Sequence, residues 1–304
     1  MDETDVALCR LLMYNSRMPY SELAKILDTS VQSVHRRVQD LVAAGIIAGF
    51  KANFSQLAYR GVWVMVRGRS EAPSVNKVLE DLKKEQAMDM AMVAGGKYLY
   101  LNGMILDPSK LNRFVSSVTR IAQIPEPEVG VVDFPLPVKG EEEPVIYPMD
   151  IKIVNALRND ARRPVTDLAK ELGVAPRTVT RHLDRLNREM LVHFSIELYA
   201  YHTSDLFANL YLRVKRGVER EKVAMSLIKR LALRELITYN FGDRPDQLIT
   251  MFWAPNIKEI NDIVVELEGS GMFETVEPNL VLDVRYYEGY KDVSPPLRSR
   301  IDLA

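Results

Sequence analysis

Apolar side chains recur at helical spacing along Asp5 to Leu12, and again at Leu23, Ala24, Ile26 and Leu27 after the opening Pro19-Tyr20-Ser21-Glu22. Asp28-Thr29-Ser30 is a tight polar break, with Ser30 a natural N-cap. A third helix then carries Val31, Val34, Val38, Leu41 and Val42 on one face and stops at Gly45. Two short helices around a tight turn are the helix-turn-helix arrangement. The strand-like run Ile46 to Ala52 follows, and a β-ribbon there would form a wing.

The pattern then starts again. A shift of 145 positions lays residues 5–41 on 150–186 without a gap. Asp5 meets Asp150, Arg17 meets Arg162, Pro19 meets Pro164, and Leu23-Ala24-Lys25 meets Leu168-Ala169-Lys170. A match this long is an internal repeat, and its period is too long for a solenoid. The rest of each half alternates strand and helix signals in the order β-α-β-β-α-β, the ferredoxin-like split βαβ. In the first half the strands are 62–67, 90–94, 98–106 and 129–134, with helices over 74–85 and around 111–118. In the second half they are 210–214, 236–241, 248–253 and 276–286, with helices over 220–232 and 256–267.

The expected class is α+β, a tandem duplication of a winged helix-turn-helix followed by a ferredoxin-like domain. The expected domains are 1–53, 60–134, 149–198 and 206–288, with a linker at 135–148 and a tail at 289–304. Val62, Val64, Val66 and Leu210, Leu212, Val214 alternate, and are expected to supply an apolar sheet face for pairing, within one chain or between chains.

Composition changes this picture little. The 304 residues are 47% hydrophobic and 27% charged, enough for several cores. The one cysteine, Cys9, aligns with Val154 and reads as a core residue. No apolar run reaches membrane-spanning length and no export signal is visible, so a cytoplasmic protein without membrane contact is expected. Charge separates the repeats. Residues 1–50 hold 5 Lys and Arg against 6 Asp and Glu, net −1, whereas residues 146–195 hold 9 against 6, net +3.

The Asp5 to Leu12 helix, Arg17-Met18-Pro19-Tyr20-Ser21-Glu22-Leu23-Ala24 and Ser30 to Ile46 resemble the Lrp/AsnC (feast/famine) transcription regulators. So do Asp150, Arg162, Asp167-Leu168-Ala169, Leu172-Gly173, Val179 and Leu186. The resemblance implies double-stranded DNA binding, pairing through the βαββαβ domains into a homo-oligomer, and often a small effector such as an amino acid. Family members ordinarily carry one copy per chain.

On the third helix, Gln32, Ser33, His35 and Arg36 point away from the core direction set by Val34. In the second copy the same positions are Arg177, Thr178, Thr180 and Arg181, and Arg185 is a further DNA-facing candidate. Arginine suits guanine and glutamine suits adenine. The positive second copy is therefore expected to be the stronger head. Arg37 and His182 sit on the rim of the core, where a structural or backbone-phosphate role suits them better than base reading.

The resemblance places effectors near a Gly and an Asp between strands two and three. Gly95, Gly96, Gly242 and Asp243 are the candidates, with Lys97, Arg244 or Asp246 as neighbouring charges. No cofactor and no metal site is expected: the four histidines have no Cys or carboxylate at ligand spacing. Two other readings stand beside the regulator. One is an architectural DNA-bridging protein. The other is an enzyme like the siroheme decarboxylases, which resemble this domain order in paired copies but rely on histidines in the βαββαβ domains. Residues 61–134 and 208–286 contain none.

Overall fold

The computed structural model describes residues 1–133, 145–199 and 202–297, so most of the expected linker and the end of the expected tail lie outside the described residues. Head one is α1 (Glu3–Tyr14), α2 (Tyr20–Ile26), α3 (Val31–Ala43) and strand β1 (Ile47–Phe54). A short α4 (Gln56–Tyr59) leads to β2 (Val62–Arg69), α5 (Val75–Leu82), β3 (Met88–Ala94), β4 (Tyr98–Ile105), α6 (Leu111–Ala122) and β5 (Glu128–Asp133). Head two is α7 (Pro148–Leu157), α8 (Val165–Leu172), α9 (Pro176–Arg188) and β6 (Val192–Leu198). It continues into β7 (Leu206–Val214), α10 (Arg220–Leu231), β8 (Glu235–Phe241), β9 (Gln247–Ala254), α11 (Ile257–Gly269) and β10 (Phe273–Tyr286). The expected order β-α-β-β-α-β is present in both halves.

The two four-stranded sheets pair within the chain, edge to edge. Together they close an antiparallel barrel in the order β10-β3-β4-β2-β5-β8-β9-β7. One seam is short, with Val132 opposite Phe241 and Asp133 opposite Asn240. The other is made by β10, which at 14 residues is long enough to serve both sheets. Its first part pairs with β7 and its second, Val281 to Tyr286, with β3. Closure leaves this sheet without an edge.

This corrects the expectation of an apolar pairing face. Val64 and Val66 lie in the core under α5 and α6, and Leu210 and Leu212 in the core under α10 and α11. The alternate positions face the barrel interior, where Met65, Met92, Tyr100, Ile249 and Met251 are buried. Arg67 is buried there too, 2.5 Å from Glu128 and with its guanidinium 4.1 Å from the Tyr211 ring centre. Gly103 of β4 lies under Phe114 of α6, and a Cβ at that position would stand 2.3 Å from the ring. Gly103→Ala is expected to destabilise the protein by about 1–3 kcal/mol in urea unfolding, because overpacking shifts a rigid ring.

The wing is also corrected. β1 has no hairpin partner in its own head; it pairs antiparallel with β6 of the other, Ile47 opposite Leu198 through to Phe54 opposite Val192. The cores are exchanged accordingly. Ile196 and Leu198 of β6 join the core of head one, and Ala52 and Phe54 of β1 join that of head two.

The aligned arginines of the repeat clamp the two heads. Arg17 donates to the Ala161 carbonyl and, at 3.1 Å, to that of Arg163. Arg162 donates to the Ser16 and Met18 carbonyls and stacks 4.3 Å from the Tyr20 ring centre. Burial and the neighbouring Arg162 charge hold the Arg17 guanidinium below its usual range. Backbone bonds repeat the reciprocity, Ser16 N–H to Phe194 O at 2.8 Å and Ala161 N–H to Phe50 O at 2.9 Å.

Part of the expected tail is structural. Tyr290 is buried, edge-on to Tyr59 and Trp63, and Arg158 of head two holds Asp292 at 2.8 Å. Cys9 is buried in the core of head one, and burial pushes its thiol up to about 12, out of the reactive range.

Candidate nucleic-acid interface

Each recognition helix is set by its cap and its buried stripe. In α3, Ser30 Oγ accepts the Ser33 N–H, and Val34, Val38 and Leu41 are buried. In α9, Pro176 occupies the first turn, Gly173 supplies the left-handed turn before it, and Val179, Leu183 and Leu186 are buried. The opposite faces follow from the 3.6-residue period. Gln32, His35 and Arg36 are exposed on α3, with Ser33 half-buried. On α9, Arg177, Thr180 and Arg181 are exposed and Thr178 is half-buried. Among the described residues no ion pair holds Arg36, Arg177 or Arg181, whereas His35 stands edge-on to Tyr20 at 5.5 Å.

Arg185 does not belong with them. It pairs with the fully buried Asp150, donates to the Val145 carbonyl at 2.9 Å, meets Glu189 at 2.9 Å and covers the Tyr147 ring. Asp150 also accepts from the Tyr147 N–H at 2.7 Å and lies 2.6 Å from His182 Nδ1. In head one Arg37 does the equivalent, reaching Asp5 at 2.6 Å and Asp2 at 2.9 Å. Each head thus ties its recognition helix to its first helix through an aligned carboxylate, Asp5 or Asp150. Arg158, Arg162 and Arg163 are also engaged in internal contacts, so the positive excess of head two reaches solvent through Lys152, Lys170, Arg177, Arg181 and Arg188, of which Arg177, Arg181 and Arg188 lie on α9.

The two turns expected to bind an effector lie apart and are used by the fold. Gly96 adopts φ +68 in the turn from β3 to β4, and Lys97 Nζ donates to the Ala72 carbonyl at 3.0 Å. Gly95 lies against Asn279 of β10. The Gly242 N–H donates to Val131 O at 2.9 Å and the Asp243 carboxylate accepts the Val131 N–H at 2.8 Å, extending the short barrel seam. Arg244 lies 3.7 Å from Glu128.

A cavity that the sequence does not announce lies at the barrel mouth, beneath the β1–β6 ribbon. It has a volume of about 200 Å³ and is lined by residues from both heads and both sheets, His193 of β6 among them. His193 brings an imidazole to the barrel although the βαββαβ segments have none. Burial pushes its pKa below the ordinary value, so it is neutral in the folded state. The unfolded chain therefore binds more protons below roughly pH 6.5, and stability is lost as pH falls through that value. His193→Gln should flatten urea-unfolding stability between pH 7 and 5; an unchanged slope would assign the pH dependence to other groups.

The family model of the AsnC-type helix-turn-helix domain matches residues 1–42 and 148–187. An HTH-type transcriptional regulator of Pyrococcus abyssi (strain GE5 / Orsay) is 30% identical over 118 residues, spanning 38% of this chain and 74% of the relative. One of Pyrococcus furiosus (strain ATCC 43587 / DSM 3638 / JCM 8422 / Vc1) is 32% identical over 100 residues, 32% of this chain and 67% of the relative. The chain belongs to the AsnC-type helix-turn-helix family, of Lrp/AsnC type, with two copies of the family's unit fused in tandem. The whole architecture is also similar to the crystal structure of the siroheme decarboxylase NirDL, with a TM-score of 0.60 at 12% identity over 95% of this chain and 96% of that one. At that identity the likeness is one of fold.

Proposed function

We propose that the chain is a sequence-specific regulator of transcription that binds double-stranded DNA in the cytoplasm through two unlike recognition helices, led by α9. The observation that carries this is the exposed pair Arg177 and Arg181, held by no ion pair among the described residues, on a helix pinned by Asp150. The reciprocal Arg17 and Arg162 contacts fix the heads relative to each other, and we assign them to neighbouring stretches of one duplex. A clamped pair of heads presenting different side chains favours an asymmetric site, unlike a homodimer with its palindrome. Gln32→Ala with Arg36→Ala is expected to weaken binding less than the corresponding loss from α9, as read by fluorescence anisotropy at fixed salt. An equal or larger loss would reverse the ranking of the heads. Little preference among unrelated duplexes would favour the architectural reading.

Sheet pairing is satisfied inside the chain, so further association uses other surfaces. The outer helices of the second half carry exposed Met225, Ile228, Ile257 and Val265, and we assign a homo-oligomer contact to them. Met225→Lys with Ile228→Lys should shift the light-scattering mass to that of one chain. A native protein already at about 35 kDa at micromolar concentration would remove this contact.

The whole-chain fold likeness favours a second reading, an enzyme acting on a tetrapyrrole. The NirDL structure was also determined with an iron-uroporphyrin III analogue. Against it stands the lack of histidine in residues 61–134 and 208–286, where that chemistry would need it. Visible absorbance after incubation with iron uroporphyrin separates the two: a saturable Soret shift would support the enzyme.

A further inference from the structure

We infer that the barrel mouth is a binding site for a small, neutral, flat heterocycle bearing a ring carbonyl, and that its occupancy bears on the heads through the β1–β6 ribbon. The site stands on its own geometry; only its regulatory consequence rests on the DNA-binding reading above.

Shape comes first. The mouths of β-barrels are recurrent ligand sites, and about 200 Å³ suits one or two fused rings rather than a drug-sized molecule. The walls are aromatic, with Trp63, Tyr239, Tyr286 and Tyr290 lining the cavity, which favours a flat ligand.

Charge narrows the class. Both lysines in the lining are already paired, Lys291 with Asp89 at 3.5 Å and Lys51 with Glu197 at 3.7 Å. Those pairs engage both lining carboxylates, and burial keeps His193 neutral. An ionic ligand would have to break a partly buried pair, which is costly, so an uncharged one is favoured.

Polarity gives the orientation. Asn102 of β4 is 3% exposed and lines the cavity, and its Nδ2 has no hydrogen-bond partner among the described residues. A buried amide donor without a partner is costly, and a ligand carbonyl would satisfy it. The Gly95-Gly96 and Gly242-Asp243 turns are not part of this lining.

Coupling follows from strand alternation. Lys51 and Asn53 of β1 and His193, Ser195 and Glu197 of β6 face the cavity. Their neighbours Ala52 and Phe194 enter the core of head two. A ligand seated under the ribbon therefore presses on strands whose other face positions α9.

The test uses the full-length protein and four probes, uracil and 2-pyridone as neutral heterocycles with a ring carbonyl, orotate and 2-pyridone-5-carboxylate as their anionic counterparts. Isothermal titration without DNA should show one saturable site per chain for at least one neutral probe, with its anionic counterpart about tenfold weaker or more. Asn102→Leu should weaken that probe by about tenfold or more while leaving probe-free DNA affinity unchanged. No saturable binding by any neutral probe at millimolar concentration overturns the site, as does equal binding of the anionic probes or an indifferent Asn102→Leu. With the probe bound, DNA affinity should change by about threefold or more. Probe binding without any DNA binding leaves the site standing and sinks the regulator reading; DNA binding without probe binding does the reverse.

Discussion

Replacing Arg177 and Arg181 together by alanine is expected to lower affinity for the cognate duplex by about 2–6 kcal/mol, at about 1–3 kcal/mol for each base-reading arginine. Both side chains are exposed, and no ion pair holds them among the described residues, so cutting them back is expected to cost the fold little. The loss should fall on specific binding and relax the guanine positions under head two. Non-specific affinity and its salt slope should change by about one phosphate contact or less per residue. Binding to the cognate and to an unrelated duplex, measured across a salt series, reads both quantities. An unchanged specific affinity would show that α9 does not read bases.

Asp150→Ala is expected to destabilise head two by about 3 kcal/mol, because it leaves the half-buried His182 without its carboxylate partner, Arg185 with only the exposed Glu189, and the Tyr147 N–H without an acceptor. Asp150 is fully buried, so water does not replace it. The aligned Asp5→Ala should cost only about 1 kcal/mol, since Asp5 and its partner Arg37 are partly exposed and Asp2 remains on the guanidinium. Urea unfolding followed by circular dichroism compares the two variants. Equal losses would mean that burial does not set the difference.

Much of this was legible along the chain because it is local. The helix stripes, the Ser30 cap, the Gly173 turn and the outward positions of α3 and α9 follow from periodicity and capping chemistry. The strand order followed from alternation, but the partner of each strand did not. β1 and β6 read as wings because a strand's sequence shows that it wants a neighbour, not which one. The face of Val64 and Val66 was apolar as expected, but helices of the same half cover it, leaving the edges to join. Arg17 and Arg162 carried the family resemblance without revealing that they clamp one head to the other. Arg185 read as a DNA contact because its helix position is near the rim and Asp150 lies 35 residues away. The mouth cavity could not be seen at all, since its lining comes from segments scattered from Met13 to Lys291.

The central claim, a DNA-reading chain with two unlike heads, is tested most directly by selecting bound sequences from random duplexes and footprinting the winners. The account predicts a single motif with two different half-sites, the more guanine-containing one protected by head two and lost with Arg177→Ala and Arg181→Ala. Short perfect palindromes protected alike by both heads, or no enriched motif, would contradict it.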